Sequence, residues 1–394
     1  MVVWHGWTDT EGTEFNALVK EYNAQHPNVN VTTLYVNNDY ALQKVLTAVS
    51  GGTPPDVAYL YGSWAPSVAK IPLVVDLTET VKAPGVDWGD FPTGESDVAT
   101  VNGKVIGMPA LVDNLAIVYN KKMFAAVGVP TPTPTWTWTD FENAARAMTN
   151  PAQKQFGWTI PADGSEDTVW HWEAMLWEAG GQLLTPDNKQ AAFNSPQGVQ
   201  ALTTLRDMAV TDKSVFLDTS NDKSENLFNA GKVGMIITGP WDLSSFPKVD
   251  YGVQIMPAYE GSSGGHQTIA GPDNWVVFKN GDARAKAATD FVVWLTAKEQ
   301  VKAFSLATGD LPTRQSLATD APFVASMDKA LPGVGLFINN LANVQQARPQ
   351  VTTYPKISEI LGNAIVSVML NKSDPQSALT SAATQVNQVL ATGS

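Results

Sequence analysis

Apolar and polar positions along the chain fall into short blocks of two different periods. Val2-Val3-Trp4 opens as a strand-like run, and Phe15, Leu18, Val19 and Tyr22 follow at the spacing of one helix face. The stretch from Val29 to Val36 reads as a strand bounded by Pro27 and Asn37-Asn38-Asp39. Leu42, Val45, Leu46 and Val49 return to helical spacing until Gly51-Gly52 stops them, and Asp56 to Leu60 reads as a further buried strand. This β-α-β-α-β order predicts an open, mostly parallel sheet.

The alternation continues. Gly103 to Pro109 reads as a hairpin or edge strand, and Leu115 to Tyr119 as a strand feeding a helix that starts at Lys121-Lys122-Met123-Phe124. Pro130-Thr131-Pro132-Thr133-Pro134 cannot be regular structure, because each proline removes a donor and restricts the residue before it. Thr139 with Glu142 predicts a capping box for a helix carrying Phe141, Ala145 and Met148, and Thr296 with Glu299 predicts another. Ser195-Pro196 and Asp282 are predicted helix starts. Val233 to Thr238, Asp250 to Met256 and Trp275 to Phe278 read as strands, and Ile357 to Leu390 as helix broken near Ser373-Asp374-Pro375.

Composition narrows the classes. A chain of 394 residues is long enough for about two domains. With 38 acidic against 25 basic residues the net charge is -13, and no basic run could track a row of phosphates, so nucleic acid is excluded as a partner. Cysteine is absent, which removes disulfides, thiolate metal sites and cysteine nucleophiles. Four scattered histidines make no metal cluster, and no cofactor is expected. No run approaches the length of about 18 apolar residues that a membrane span needs. Met1 leads directly into the first strand, so any export signal or lipid-attachment cysteine is expected to lie outside this sequence.

Several patterns, in this order, resemble the solute-binding proteins of carbohydrate ABC importers, the class that includes maltose-binding protein. They are Gly103-Lys104-Val105-Ile106-Gly107-Met108-Pro109 with Tyr119-Asn120-Lys121, Gly180-Gly181, Phe228-Asn229-Ala230-Gly231-Lys232-Val233-Gly234-Met235 running into Gly239-Pro240-Trp241, Gly309-Asp310-Leu311-Pro312-Thr313-Arg314, and Tyr354-Pro355. The resemblance covers nearly the whole chain. It implies a two-lobed α/β periplasmic-binding-protein fold with hinge-linked lobes and a ligand cleft between them. The first lobe is then 1–112 and 272–314, the second 113–271 and 315–394, with crossings near Leu111 to Leu115, Thr268 to Asp273 and Pro312 to Ser316. It further implies a monomer outside the cytoplasm, lipid-anchored in its full-length precursor, that delivers a small-molecule carbohydrate to the transmembrane subunits of an ABC transporter.

Candidate binding residues also follow from geometry. Open α/β sheets bind ligands beyond the carboxyl ends of their strands. That places Trp7, Thr8, Asp9 and Glu11 after the first strand, Asp39 and Tyr40 after the second, Tyr61, Ser63 and Trp64 after the third, and Gly239, Trp241 and Asp242 after Val233 to Thr238. A sugar offers hydroxyls at its edge and C–H faces above and below, so carboxylates, amides and aromatic rings are the groups it needs. By family position Trp241, Trp170 and Tyr354 are implied stacking residues, and Asp113 and Asn114 polar contacts at the hinge. His171 beside Trp170, and Asp273 and Asn274 at the second crossing, complete the set, with Arg314 and Arg348 as clamps for an anionic ligand.

Each assignment has a structural alternative. Trp4, Trp158, Trp177 and Trp294 are assigned to the core. Trp170 and Trp172 point different ways on a helix, so one of them is core. Asp9, Asp39 and Asp113 serve equally well as caps or loop acceptors, and the two arginines equally well as salt-bridge partners. Tyr61 and Trp64 stand where the maltose-type pattern has a tryptophan and charged contacts, which favours a sugar derivative over maltose itself. The same fold holding a glycerophosphodiester or sugar acid is the alternative ligand reading. An enzyme reading would use Glu166-Asp167 with Glu173 as paired carboxylates, against which adjacent acids in a Gly-Ser turn read as a solvated helix start.

Overall fold

The computed structural model describes residues 1–219 and 223–393. The chain forms two compact α/β units that are discontinuous in sequence: 1–113, 271–335 and 350–352 make the first, and 114–270, 336–349 and 353–393 the second.

The first unit is built on a five-stranded sheet in the order Thr32–Tyr35, Val2–His5, Val57–Tyr61, Asp273–Val277, Met108–Leu111. The first three strands are parallel, with Val3 opposite both Thr33 and Val57. Asp273–Val277 runs antiparallel to both of its neighbours. The sheet is therefore mixed rather than mostly parallel, because that strand enters after the chain has crossed back at residue 271. The second strand is shorter than its apolar run. Asn23 takes both backbone groups of Val31, at 2.8 and 2.9 Å, so pairing begins only at Thr32.

Helix Asp9–Gln25 lays Phe15, Leu18, Val19 and Tyr22 on this sheet, as their spacing predicts, and packs against helix Lys298–Thr308. Asp56 anchors the sheet's amino end. Its fully buried carboxylate accepts from Val2 N at 2.7 Å and bidentately from Arg284. Burial opposes that charge, but the Arg284 fork and the Val2 amide outweigh it and hold the carboxyl below its usual range.

The second unit has a five-stranded mixed sheet in the order Tyr251–Gln254, Ala116–Asn120, Val233–Thr238, Phe156–Pro161, Val215–Asp218. Helix Trp138–Met148 lies directly on it. A Cβ at Gly157 would come within 2.1 Å of the Ala145 backbone, so only glycine permits that approach. Trp138, Trp158, Trp172 and Trp177 are all fully buried here. Helix Tyr354–Met369 packs on both Glu166–Glu178 and Pro375–Thr392, the last capped by Asp374, whose side chain accepts from Ser377 N.

Several local expectations shift. The capping box is Thr137 with Asp140, not Thr139 with Glu142; Trp138 is already buried in the first helical turn, its amide held by Ala258 O. Asp282 does not cap its helix, which begins after Gly281 at φ 89°. The Thr296 hydroxyl closes the preceding helix by donating to Val292 O, leaving Ala297 at the start of the next. Ser195 does cap, accepting from Gly198 N. Trp4 and Trp294, assigned to the core, are half-buried.

Residues 315–335, placed by the sequence in the second lobe, belong to the first unit. Ser316 donates its amide and hydroxyl to the Asp90 carboxylate, and helix Ala321–Ala330 packs on Lys298–Thr308.

Candidate functional site

In the first unit the loops after the parallel strands separate into a closed aromatic core and a more open polar group. Trp7 belongs to the core. Its ring lies 5.0–6.1 Å from those of His5, Phe15, Tyr59, Trp275 and Phe304, and it is 6% exposed, which corrects its reading as a ligand platform. Burial lowers the neighbouring His5 to about 4, matching the neutral Nδ1 that accepts from Trp7 N. A cavity of about 20 Å³ lined by Trp7, Trp275, Asp310 and Thr313 has room for a water but not for a sugar ring.

Thr8 and Asp9 are exposed at the start of the first helix, Asp9 at φ 43°. Tyr61, Asp39 and Trp64 come together. The Tyr61 hydroxyl donates to Asp39 Oδ1 at 3.1 Å, and its ring packs on Trp64 at 4.7 Å. Asp39 and Tyr61 are half-buried, Tyr40 is half-exposed, and Ser63 and Trp64 are buried beneath.

Two expected ligand residues of this unit, Asp273 and Arg314, serve the fold. Asp273 accepts from the Tyr59 hydroxyl and from Gly62 N, while Asn274 beside it is buried. Arg314 is 3% exposed: its guanidinium donates to Thr296 O, Val86 O and Asp87 O and covers the Phe91 ring at 3.8 Å. It is no anion clamp, because protein carbonyls use its donors.

Asp113 is also buried, accepting from Leu311 N at 3.2 Å. Burial, and then the charge of Asp310 beside it, push it well above the carboxylate range. Asp310, raised by burial to about 6, faces Asp113 and Glu11. The two aspartates so placed oppose each other's charge, which disfavours ionising both. Asp310 escaped sequence reading as a site residue although it stands inside the Gly309-Asp310-Leu311-Pro312 motif.

In the second unit, strand Val233–Thr238 ends at Gly239 and a 3-10 turn, Pro240–Ser245. Trp241 folds back over its own chain there. A Cβ at Gly239 would lie 1.8 Å from its ring, so this position excludes any side chain. The Trp241 ring stacks on Trp170 at 5.8 Å and 27°, both rings half-buried, whereas Trp172 points into the core. Below the turn, buried Asp242 accepts from the Thr238 hydroxyl; burial, then Glu225 beside it, push its carboxyl up. His171 is buried between helix Glu166–Glu178 and the end of the strand.

The remaining candidates of this unit are internal. Asn114 donates to Phe337 O at 3.0 Å and accepts from Asn340 at 2.7 Å. Tyr354 is fully buried and donates to Glu166, which also accepts from Arg348 and Ser358. This corrects Tyr354 as a stacking residue, Arg348 as an anion clamp and Glu166 as a solvated helix start. Sequence reading missed the role of Glu173 as a buried acid. Its signal is an acid within the apolar run Trp172 to Trp177. Among the described residues no group of three or more acids and histidines is arranged to hold a metal, and no helix is long and apolar enough to cross a membrane.

Comparison with known proteins places this arrangement. The chain is 28% identical to the cyclic alpha-maltosyl-1,6-maltose binding protein of Arthrobacter globiformis, superposing with a TM-score of 0.79 over 100% of this chain and 99% of that one. An ABC substrate-binding protein of Listeria monocytogenes, in complex with cycloalternan, shares the fold with a TM-score of 0.89 at 24% identity, over 99% and 98% of the two chains. The sn-glycerol-3-phosphate-binding periplasmic protein UgpB of Pectobacterium atrosepticum is 22% identical over 98% of this chain and 90% of its own. The family model described as bacterial extracellular solute-binding protein matches residues 6–302. With that match spanning most of both α/β units, the chain belongs to the bacterial extracellular solute-binding proteins, a family of extracytoplasmic binding proteins rather than enzymes.

Proposed function

We propose that this chain captures a carbohydrate, an oligosaccharide or sugar derivative, and delivers it unchanged to the membrane subunits of an ABC importer. The observation that carries the reading is the half-exposed Trp170–Trp241 stack at the carboxyl end of strand Val233–Thr238. Indole faces suit the C–H faces of a pyranose. Taken by itself, the half-buried Asp39–Tyr61 pair of the first unit is the kind of polar group that sugar hydroxyls need. The maltosyl-binding relative from Arthrobacter globiformis supports the ligand class. Capture is by hinge closure, which a ligand favours only through its differential affinity for the closed state. The chain acts as a monomer, tethered by a lipid anchor in its precursor.

The UgpB relative favours a phosphate-bearing ligand as a second reading. Against it, both arginines singled out as anion clamps are used internally, Arg314 by carbonyls and Arg348 by Glu166.

Calorimetric titration with maltose, a cyclic maltosyl-maltose and sn-glycerol 3-phosphate tests the two readings. Binding of a saccharide with no response to the phosphate is expected. Covering roughly a third of the about 200 Å² of an aromatic side chain, at about 25 cal/mol per Å², corresponds to about 1.5 kcal/mol. Trp241→Ala should therefore weaken the saccharide about tenfold or more, and unchanged affinity would remove Trp241 from the site.

A further inference from the structure

His171 lies one position beyond Trp170, on the inward side of the same helix, and both of its ring nitrogens meet oxygen. Nδ1 is 2.9 Å from the Asp167 carbonyl and 3.2 Å from Asp167 Oδ1, and Nε2 is 2.9 Å from the carbonyl of Ile237. A backbone carbonyl only accepts. Either neutral tautomer would therefore set a nitrogen lone pair against an oxygen at hydrogen-bonding distance, whereas an imidazolium donates at both ends. Burial opposes the charge, but the Asp167 carboxylate and the two carbonyls outweigh it, so the ring holds its proton above the usual 6.5.

The surroundings are consistent with one retained positive charge. Asp167 faces the ring from its own helix. Asp167 in turn feels Asp242, on the turn after strand Val233–Thr238, and Asp242 hydrogen-bonds Glu225, on helix Ser224–Asn229. The strand itself presents only the Ile237 carbonyl, four positions before Trp241.

We propose that His171 is a positioning residue: as a doubly donating imidazolium it braces the helix that carries Trp170 against the strand that leads to Trp241, and so fixes how the two rings stack. The inference rests on the reading of those rings as the ligand platform. Trp170 has its partner on a different element, so the relative placement of the rings depends on what ties helix to strand. Loss of the proton turns one of the two donors into an acceptor facing an oxygen and releases that tie.

The experiment uses the full chain without ligand, labelled with ¹⁵N-histidine and with fluorotryptophan. The His171 signals are assigned with His171→Gln, and the two indole signals with Trp170→Phe and Trp241→Phe. Both nitrogens of His171 should be protonated at pH 6.5, with a titration midpoint above that value. The ¹⁹F resonances of Trp170 and Trp241 should shift with the same midpoint, and that shift should vanish in His171→Gln. A bare ring nitrogen at pH 6.5, or indole resonances that stay flat while His171 titrates, overturns the proposal. If His171→Gln does not fold, the wild-type titration decides alone. No ligand is present, so failure of the platform reading appears separately, as unchanged saccharide affinity in Trp241→Ala.

Discussion

Glu173→Gln offers a direct measure of what a buried acid does to this fold. Glu173 is fully buried in helix Glu166–Glu178; Oε2 lies 3.4 Å from the Tyr354 hydroxyl, and Oε1 has no hydrogen-bond partner among the described residues. Burial, and then the Glu166 charge, outweigh nearby Arg348 and raise the carboxyl from 4.5 to about 8. The folded chain keeps a proton there that the unfolded chain has lost over this range, so stability falls as pH rises from 4.5 to about 8 and levels off above. At about 1.4 kcal/mol per tenfold change in proton affinity, the whole fall is about 5 kcal/mol. Glutamine keeps the shape of the neutral acid and cannot ionise. The variant should match wild type near pH 5 and exceed it by an amount that grows toward about 5 kcal/mol by pH 9. Urea unfolding at unit pH steps, followed by tryptophan fluorescence, reads the difference. Parallel stability curves for the two proteins would refute the reasoning.

Other substitutions probe separate parts of the argument. Gly239→Ala should drive the Trp241 ring off its own backbone, weakening saccharide binding about as much as Trp241→Ala while leaving the melting temperature nearly unchanged; calorimetry and thermal denaturation check the two halves. Arg314→Ala strips donors from buried carbonyls and should cost about 3 kcal/mol or more in denaturant unfolding, with affinity for any anionic ligand unaltered. Asp310→Asn replaces the acid at about 6 with a neutral donor beside Asp113, so stability measured above pH 6 should rise relative to wild type and converge with it in acid.

How much was legible in the sequence depended on how local each cause was. Helix Asp9–Gln25, the cap at Ser195 and the helix break near Ser373-Asp374-Pro375 follow from neighbours within a turn, and they form as read. The Thr139 and Thr296 boxes failed for reasons equally local: Thr137 competes with Thr139 and burial of Trp138 decides between them, while the Thr296 hydroxyl is taken up in closing the previous helix. Trp7 was misread because most of its partners, Tyr59, Trp275 and Phe304, come from distant stretches of chain. Arg314 and Arg348 were misread likewise, since Val86 and Glu166 lie far from them in sequence. The turn that carries Trp241 was legible because a Gly-Pro pair at a strand end is itself a local signal.

The buried acids bear on the proton balance of folding. Glu95, Asp113, Glu173, Glu178 and Asp242 are each pushed upward by burial, so at neutral pH the folded chain carries less negative charge than the formal -13. Unfolding must then release protons to the solvent. The calorimetric enthalpy of unfolding will depend on the ionisation enthalpy of the buffer that takes them up, and the isoelectric point of the native protein will sit above the 4.7 expected from composition.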